Sequence, residues 1–264
     1  MTQKTHEDAV PARQGAHRSP SPGYAETVRS LAAAQKSAAP GAPAYSLLIN
    51  RRAGRYLAAA CHLLGMTPNA VSAVSAAFTF SGILVLALAS PSWLSAAAIS
   101  FCLAAGYAFD SADGQLARLR GGGSLAGEWL DHFLDSVKLS CLHLAVALWA
   151  YRLADLPGPG WLLVPLGFTV VANVSFFAMI LNDQLKSGHS LRTGQPAAVR
   201  TGSLRRSLIL IPTDYGFLCL LFLLTALPEV FVPVYTAVFV LNFSHLSLAA
   251  PKWFRDMSRL EARR

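Results

Sequence analysis

The chain has 264 residues, 53% of them hydrophobic and 14% charged, with mean hydropathy +0.42 and a formal net charge of +8. Soluble domains carry about 25% charged residues, so this composition excludes an ordinary water-soluble fold. The surplus of base could suggest a nucleic-acid partner, but its placement along the chain assigns it to membrane topology, and no nucleic acid is expected.

Residues 1–44 are rich in Ala, Pro, Ser and Gln, as in a disordered polar tail, and the first 40 hold no apolar core of a secretory signal. Residues 45–66 read as an interfacial amphipathic helix. Arg51, Arg52 and Arg55 make its polar face, and Leu47, Leu48, Tyr56 and Leu57 its apolar one. Thr67 and Pro68 then suit a helix start, as cap and first-turn residue. Apolar runs near the ~20 residues that cross a bilayer follow at 69–89, 93–110, 126–150, 161–182, 208–227 and 230–249. The expectation is an all-α, polytopic membrane protein. Its six transmembrane helices fill a domain over 67–250, and a basic tail follows at 251–264.

Pro91, Pro157, Pro159 and Pro228 mark the turns on one side, where Arg152 is nearly the only base. The other side holds Arg51, Arg52, Arg55, Arg118, Arg120, Lys186, Arg192, Arg200, Arg205 and Arg206, and the tail adds five more. Fifteen bases against one predict that this side, with both termini, faces the cytoplasm. Anionic headgroups then account for the net charge. Arg outnumbers Lys 17 to 5 and Ala is abundant, a hint of a GC-rich bacterial genome and hence of a bacterial plasma membrane. Cys61, Cys102, Cys141 and Cys219 show no CxxC pairing and read as small buried hydrophobes.

The chain has only 14 acidic residues, and four of them, Asp110, Asp113, Asp131 and Asp135, fall around the junction of the second and third apolar runs. Charge beside a membrane is costly and persists mainly where it binds something. Asp110 and Asp113 are three apart and Asp131 and Asp135 four apart, so each pair shares a helix face. Gly121, Gly122 and Gly123 lack the Lys-Ser/Thr of a P-loop and suit a reversal that brings the two pairs together. Four carboxylates that close cannot all stay ionised without cations among them, and Arg118 and Arg120, the bases inside the segment, do not balance them. Oxygen-only ligands select Mg²⁺ or Mn²⁺. Two ions about 4 Å apart would form a clamp for displacement at phosphorus. Gly114 and Ala117 leave room for a bulky ligand, and Arg118 presents a planar fork to a phosphate. His132 lies inside the segment but off the face that Asp131 and Asp135 share, and the histidines form no ligand set.

These positions spell D-x2-D-G-x2-A-R-x8-G-x3-D-x3-D, from Asp110 to Asp135. The pattern resembles the signature of the CDP-alcohol phosphotransferase (CDP-alcohol phosphatidyltransferase) family at every fixed position, and the layout extends the resemblance over about residues 65–250. It implies transfer of a substituted phosphate from a CDP-linked alcohol to a second alcohol, with release of CMP, by a homodimer. It further implies that Asp110, Asp113 and Asp131 ligate metal, and that Asp135 is the general base and also touches metal. Gly114, Ala117, Arg118 and Gly127 would line the CDP site. Asn69 and Ser72 would contact cytosine if the segment from Thr67 corresponds to the family's first-span start; simple helix capping is the alternative.

The acceptor is less defined. Members that use inositol phosphate tend to carry an Arg-Ala-Arg-like stretch at the end of the fourth span, where this chain runs from Phe177 through Asn182 and Asp183 to Gln184. Lys138, one turn past Asp135, and Arg205 and Arg206 are the candidate acceptor contacts. The leading expectation is an integral membrane enzyme of phospholipid biosynthesis moving a phosphatidyl group from CDP-diacylglycerol to a small alcohol or polyol. The alternatives are a soluble CDP-alcohol donor with a lipid acceptor, or a non-enzymatic cation-binding membrane protein or transporter. The absence of internal repeats weighs against the last.

Overall fold

A computed structural model describes residues 23–35, 43–153, 158–194 and 210–261. Among them the secondary structure is helical, without strands. The helices are α1 (Tyr24–Ala33), α2 (Arg51–Leu63), α3 (Pro68–Leu88), α4 (Trp93–Leu119), α5 (Leu125–Arg152), α6 (Leu163–Thr193), α7 (Tyr215–Leu221) and α8 (Pro228–Glu261).

Local chemistry sets the ends that matter for the site. Thr67 Oγ1 accepts from the Ala70 amide at 3.2 Å and Pro68 opens α3. Ser92 and Ser95 form a reciprocal capping box at the start of α4. Ser124 Oγ accepts from the Gly127 amide at 3.0 Å and starts α5. Between α4 and α5, Gly121 and Gly122 take φ of +97° and +126°, a region costly for a side chain. The expected reversal is therefore there, and it lays α5 back beside α3.

Among the described residues, five helices are long and apolar enough to cross a membrane: α3, α4, α5, α6 with its leading turn, and α8. The sixth expected span, 208–227, takes another form over its described part. Ile211–Thr213 make a 3-10 turn, Asp214 caps α7, and Phe222–Ala226 finish as a second 3-10 turn. Pro212 and the capping carboxylate break the apolar run at its head. The Thr225 hydroxyl donates to the Phe222 carbonyl at 2.6 Å and tightens its end. Large apolar side chains such as Leu84, Leu94, Phe101, Val170, Phe177 and Leu241 remain exposed on the long helices. Bands of this kind, with helices of this length, make the chain a multi-pass membrane protein.

Helix α1 corrects the expectation of a disordered tail over its residues. Thr27 and Leu31, one turn apart, are buried. Leu31 joins Ala58, Ala59, Cys61, Val71, Ala112 and Leu116 in a cluster that ties α1 and α2 to α3 and α4. The main core, around Leu86, Leu103, Leu142, Phe222, Phe231 and Tyr235, lies at the other end of the bundle. Close approach of α3 and α4 depends on glycine: a Cβ on Gly106 would fall 2.1 Å from Thr79 Oγ1. The four cysteines are free, Cys61 and Cys219 buried and the other two half-buried.

Candidate active site

Helix α4 carries Asp110 and Asp113, and the glycine turn brings α5 against α3, so that Asp131 and Asp135 face the α4 pair across a small space. Asp110, Asp113 and Asp131 border one small cavity together with Ser72, Thr79 and Lys138. The Ser72 hydroxyl donates to Asp113 Oδ2 at 2.5 Å, and both residues are buried. Lys138 Nζ lies 3.1 Å from Asp110 Oδ1 and 2.5 Å from Asp135 Oδ1.

That bridge amends the expected charge balance. Lys138, outside the segment from which the balance was drawn, supplies one internal cation. With Lys138, Arg118 and Arg51 all counted, the four carboxylates still leave the cluster net negative. Asp135 Oδ1 is buried against that ammonium. His132 is also placed differently from expectation. One ligand atom from each of Asp131, His132 and Asp135 lies within 4.8 Å of the others, and His132 Nδ1 is buried without a partner. The ring leans edge-on against Phe176, with centroids 6.1 Å apart. An oxygen-dominated, net-negative cluster with the unpartnered His132 Nδ1 beside it fits a divalent cation.

The cluster stands between two spaces. On one side Asn69, Ser72, Gly114, Ala117, Arg118 and Gly127 all line a groove of about 970 Å³, together with Asp113 and Asp131. Its floor is set by small residues: a Cβ on Gly127 would lie 3.2 Å from Ser124 Oγ and 3.3 Å from Asn69 Oδ1. On the other side Asp110, Asp135 and Lys138 open on a cavity of about 440 Å³ walled by Tyr107, Phe168, Phe176 and Tyr215. Asp135 borders this cavity and not the groove. Lys138 is therefore beside the cavity, but as the bridge between Asp110 and Asp135. Arg205 and Arg206 lie outside the described residues.

Sequence reasoning missed most of the second cavity. Tyr107 and Tyr215 meet edge-on at 5.2 Å, and His143 Nδ1 pairs with Tyr235 Oη at 2.7 Å behind Phe168. Asp214 closes one side. Its Oδ2 accepts from the Ser46 amide at 2.9 Å and its Oδ1 from the Gly216 amide at 2.9 Å. Burial pushes the Asp214 carboxyl up from its ordinary range, and the backbone amides of Ser46, Gly216 and Tyr45 pull it back. None of these residues shares a local spacing, so only the assembled helices reveal them.

A comparison with curated proteins finds no match. A family model does match, over residues 65–244, and its description is CDP-alcohol phosphatidyltransferase. The matched stretch contains the four carboxylates, the groove residues Asn69 and Ser72 of α3 and Gly114, Ala117 and Arg118 of α4, and Gly127. It covers well over half of the chain, which therefore belongs to the CDP-alcohol phosphatidyltransferase family.

Proposed function

We propose that the protein transfers the phosphatidyl group of CDP-diacylglycerol to the hydroxyl of a small alcohol or polyol and releases CMP. Family membership already implies phosphatidyl transfer in membrane phospholipid synthesis. The observation that carries the finer reading is the carboxylate cluster standing as a shared wall. A polar groove lies on one side, and a second cavity, bordered by Asp135, lies on the other.

In this reading the groove takes the CDP moiety. Asn69 and Ser72 stand at the α3 end for the cytosine, and Gly114, Ala117 and Gly127 leave room for the nucleotide. Arg118 offers paired donors to a phosphate. Asp110, Asp113, Asp131 and Asp135 would hold Mg²⁺ or Mn²⁺, two ions per site. Such ions would supply positive charge to the diphosphate oxygens and the departing CMP. The acceptor alcohol enters the second cavity, where Asp135 takes the proton of its hydroxyl. The acceptor oxygen forms the new bond to the distal phosphorus, and the bond from that phosphorus to the CMP oxygen breaks. CMP leaves with the electron pair. Lys138 holds Asp135 beside Asp110 against their mutual repulsion and lies within reach of a polar acceptor. Arg205 and Arg206 would meet an acceptor phosphate if there is one.

The reading places both termini and the site on the cytoplasmic side of a bacterial plasma membrane, in a homodimer, with residues 45–66 at the interface. The exposed Leu48, Ile49 and Tyr56 support that interfacial placement. The test is purified protein with CDP-diacylglycerol, Mg²⁺ and a panel of alcohols, scored by CMP release and product mass. Release with one acceptor class and the matching lipid mass is expected. Failure with every acceptor, despite bound metal, would sink this donor assignment and favour a soluble CDP-alcohol as donor.

A further inference from the structure

A third space, of about 190 Å³, opens beside the carboxylates on the side of α2. Asp110, Asp113, Gly114, Arg118 and Asp131 line it, and so do Arg51 of α2 and Gln35, just past the end of α1. Arg51 and Gln35 precede residue 65, outside the stretch that matches the family. Two arginines thus share one small space with three carboxylates. The three carboxylates offset the two guanidiniums; with cations held on those carboxylates, a phosphate is the anion that suits the space, which adjoins the Asp113, Gly114 and Arg118 end of the groove.

The placement of Arg51 is built in. Gln115 Nε2 donates to the Arg51 carbonyl at 3.0 Å, and Asn50 Nδ2 donates to the Tyr107 carbonyl at 3.1 Å. Between those ties Gly54 presses on α4, where a Cβ would meet Ser111 Cβ at 2.7 Å. Arg55 hydrogen-bonds Gln35 and so fastens the end of α1 to α2. These contacts fix α2 in one register against the helix that carries Asp110 and Asp113.

We propose that Arg51, carried by the N-terminal α1–α2 unit, pairs with the distal phosphate of the CDP-linked donor and completes the diphosphate site together with Arg118. The assignment rests on the nucleotide reading above. Its space borders Asp110, which also borders the acceptor-side cavity, so the phosphate nearest Arg51 is the one that meets the acceptor. A nucleoside monophosphate lacks that phosphate. Arg51 therefore distinguishes CDP from CMP, whereas the groove residues bind both.

The test is calorimetric binding of CDP and of CMP, with Mg²⁺, to the full-length protein in detergent, comparing wild type with Arg51→Gln and Arg51→Lys. Arg51→Gln is expected to weaken CDP about 10- to 100-fold, the loss of one charge-assisted pair, and to leave CMP within about twofold. Arg51→Lys should recover part of the CDP affinity, since charge is kept and the fork is lost. Unchanged CMP binding reports an intact fold. An equal loss for CDP and CMP in Arg51→Gln, with CDP not recovered in Arg51→Lys, would make Arg51 structural and overturn the proposal. So would an unchanged CDP affinity. Wild-type protein that binds neither nucleotide would instead overturn the nucleotide reading, and this assignment with it.

Discussion

The groove that holds Asn69, Ser72, Gly114 and Arg118 is walled largely by small and polar residues of α3, α4 and α5. The cavity beyond Asp135 is walled by rings, Tyr107 of α4, Phe168 of α6, Tyr215 of α7 and Trp253 of α8. The first is mostly short-range architecture: three consecutive helices and a glycine turn bring most of its parts together, and α6 adds one wall with Met179, Asp183 and Lys186. The second needs helices far apart in the chain to close on one another. A shared donor needs a constant receptacle, and a local motif can supply it. An acceptor that differs between enzymes is met by a surface that many scattered substitutions can reshape.

The two sides can be broken separately. Metal removal acts on the wall between them and has the largest expected effect. EDTA should bring CMP release to background, and added Mg²⁺ or Mn²⁺ should restore it; full turnover in EDTA would contradict a metal-holding cluster. On the groove side, Gly127→Val would overfill the space beside Ser124 and Asn69. Donor KM should rise about 10- to 100-fold with acceptor KM unchanged, as read by initial rates of CMP release. On the cavity side, Phe176→Ala should do the reverse, raising acceptor KM by roughly tenfold while donor KM holds. A rise of both in either variant would mean that the two spaces are one. The smallest effect is expected from Arg205→Ala combined with Arg206→Ala. Acceptor KM should rise roughly two- to fivefold only with a phosphorylated acceptor.

The same contrast explains what was legible in the sequence. The carboxylates, Gly114, Arg118 and Gly127 lie within one stretch where helical period and a Gly121–Gly122 reversal decide who meets whom. Lys138 sits one turn beyond Asp135, yet its partner Asp110 is 28 positions away across the turn, so its bridging role needed the folded pair. His132 was placed off the acidic face by helical period alone, but in the fold it packs on Phe176 of α6 with a ring nitrogen near Asp131 and Asp135. Apolarity over 208–227 outweighed Pro212 and Asp214, which in the fold act as breaker and cap. Helix α1 hid in a polar, proline-rich segment. Its signal was the Thr27 and Leu31 stripe, legible only against the α2 and α4 surface that buries it.

The central claim is that Asp135 serves the acceptor while the groove serves the nucleotide. Its most direct test is Asp135→Asn, a change that leaves Lys138 paired with Asp110. CDP binding and CMP release from CDP-diacylglycerol would be measured on the same preparation, with Mg²⁺. The account predicts CDP affinity within about threefold of wild type and CMP release reduced by about 10²- to 10⁴-fold. Retained turnover, or loss of CDP binding in step with turnover, would contradict it.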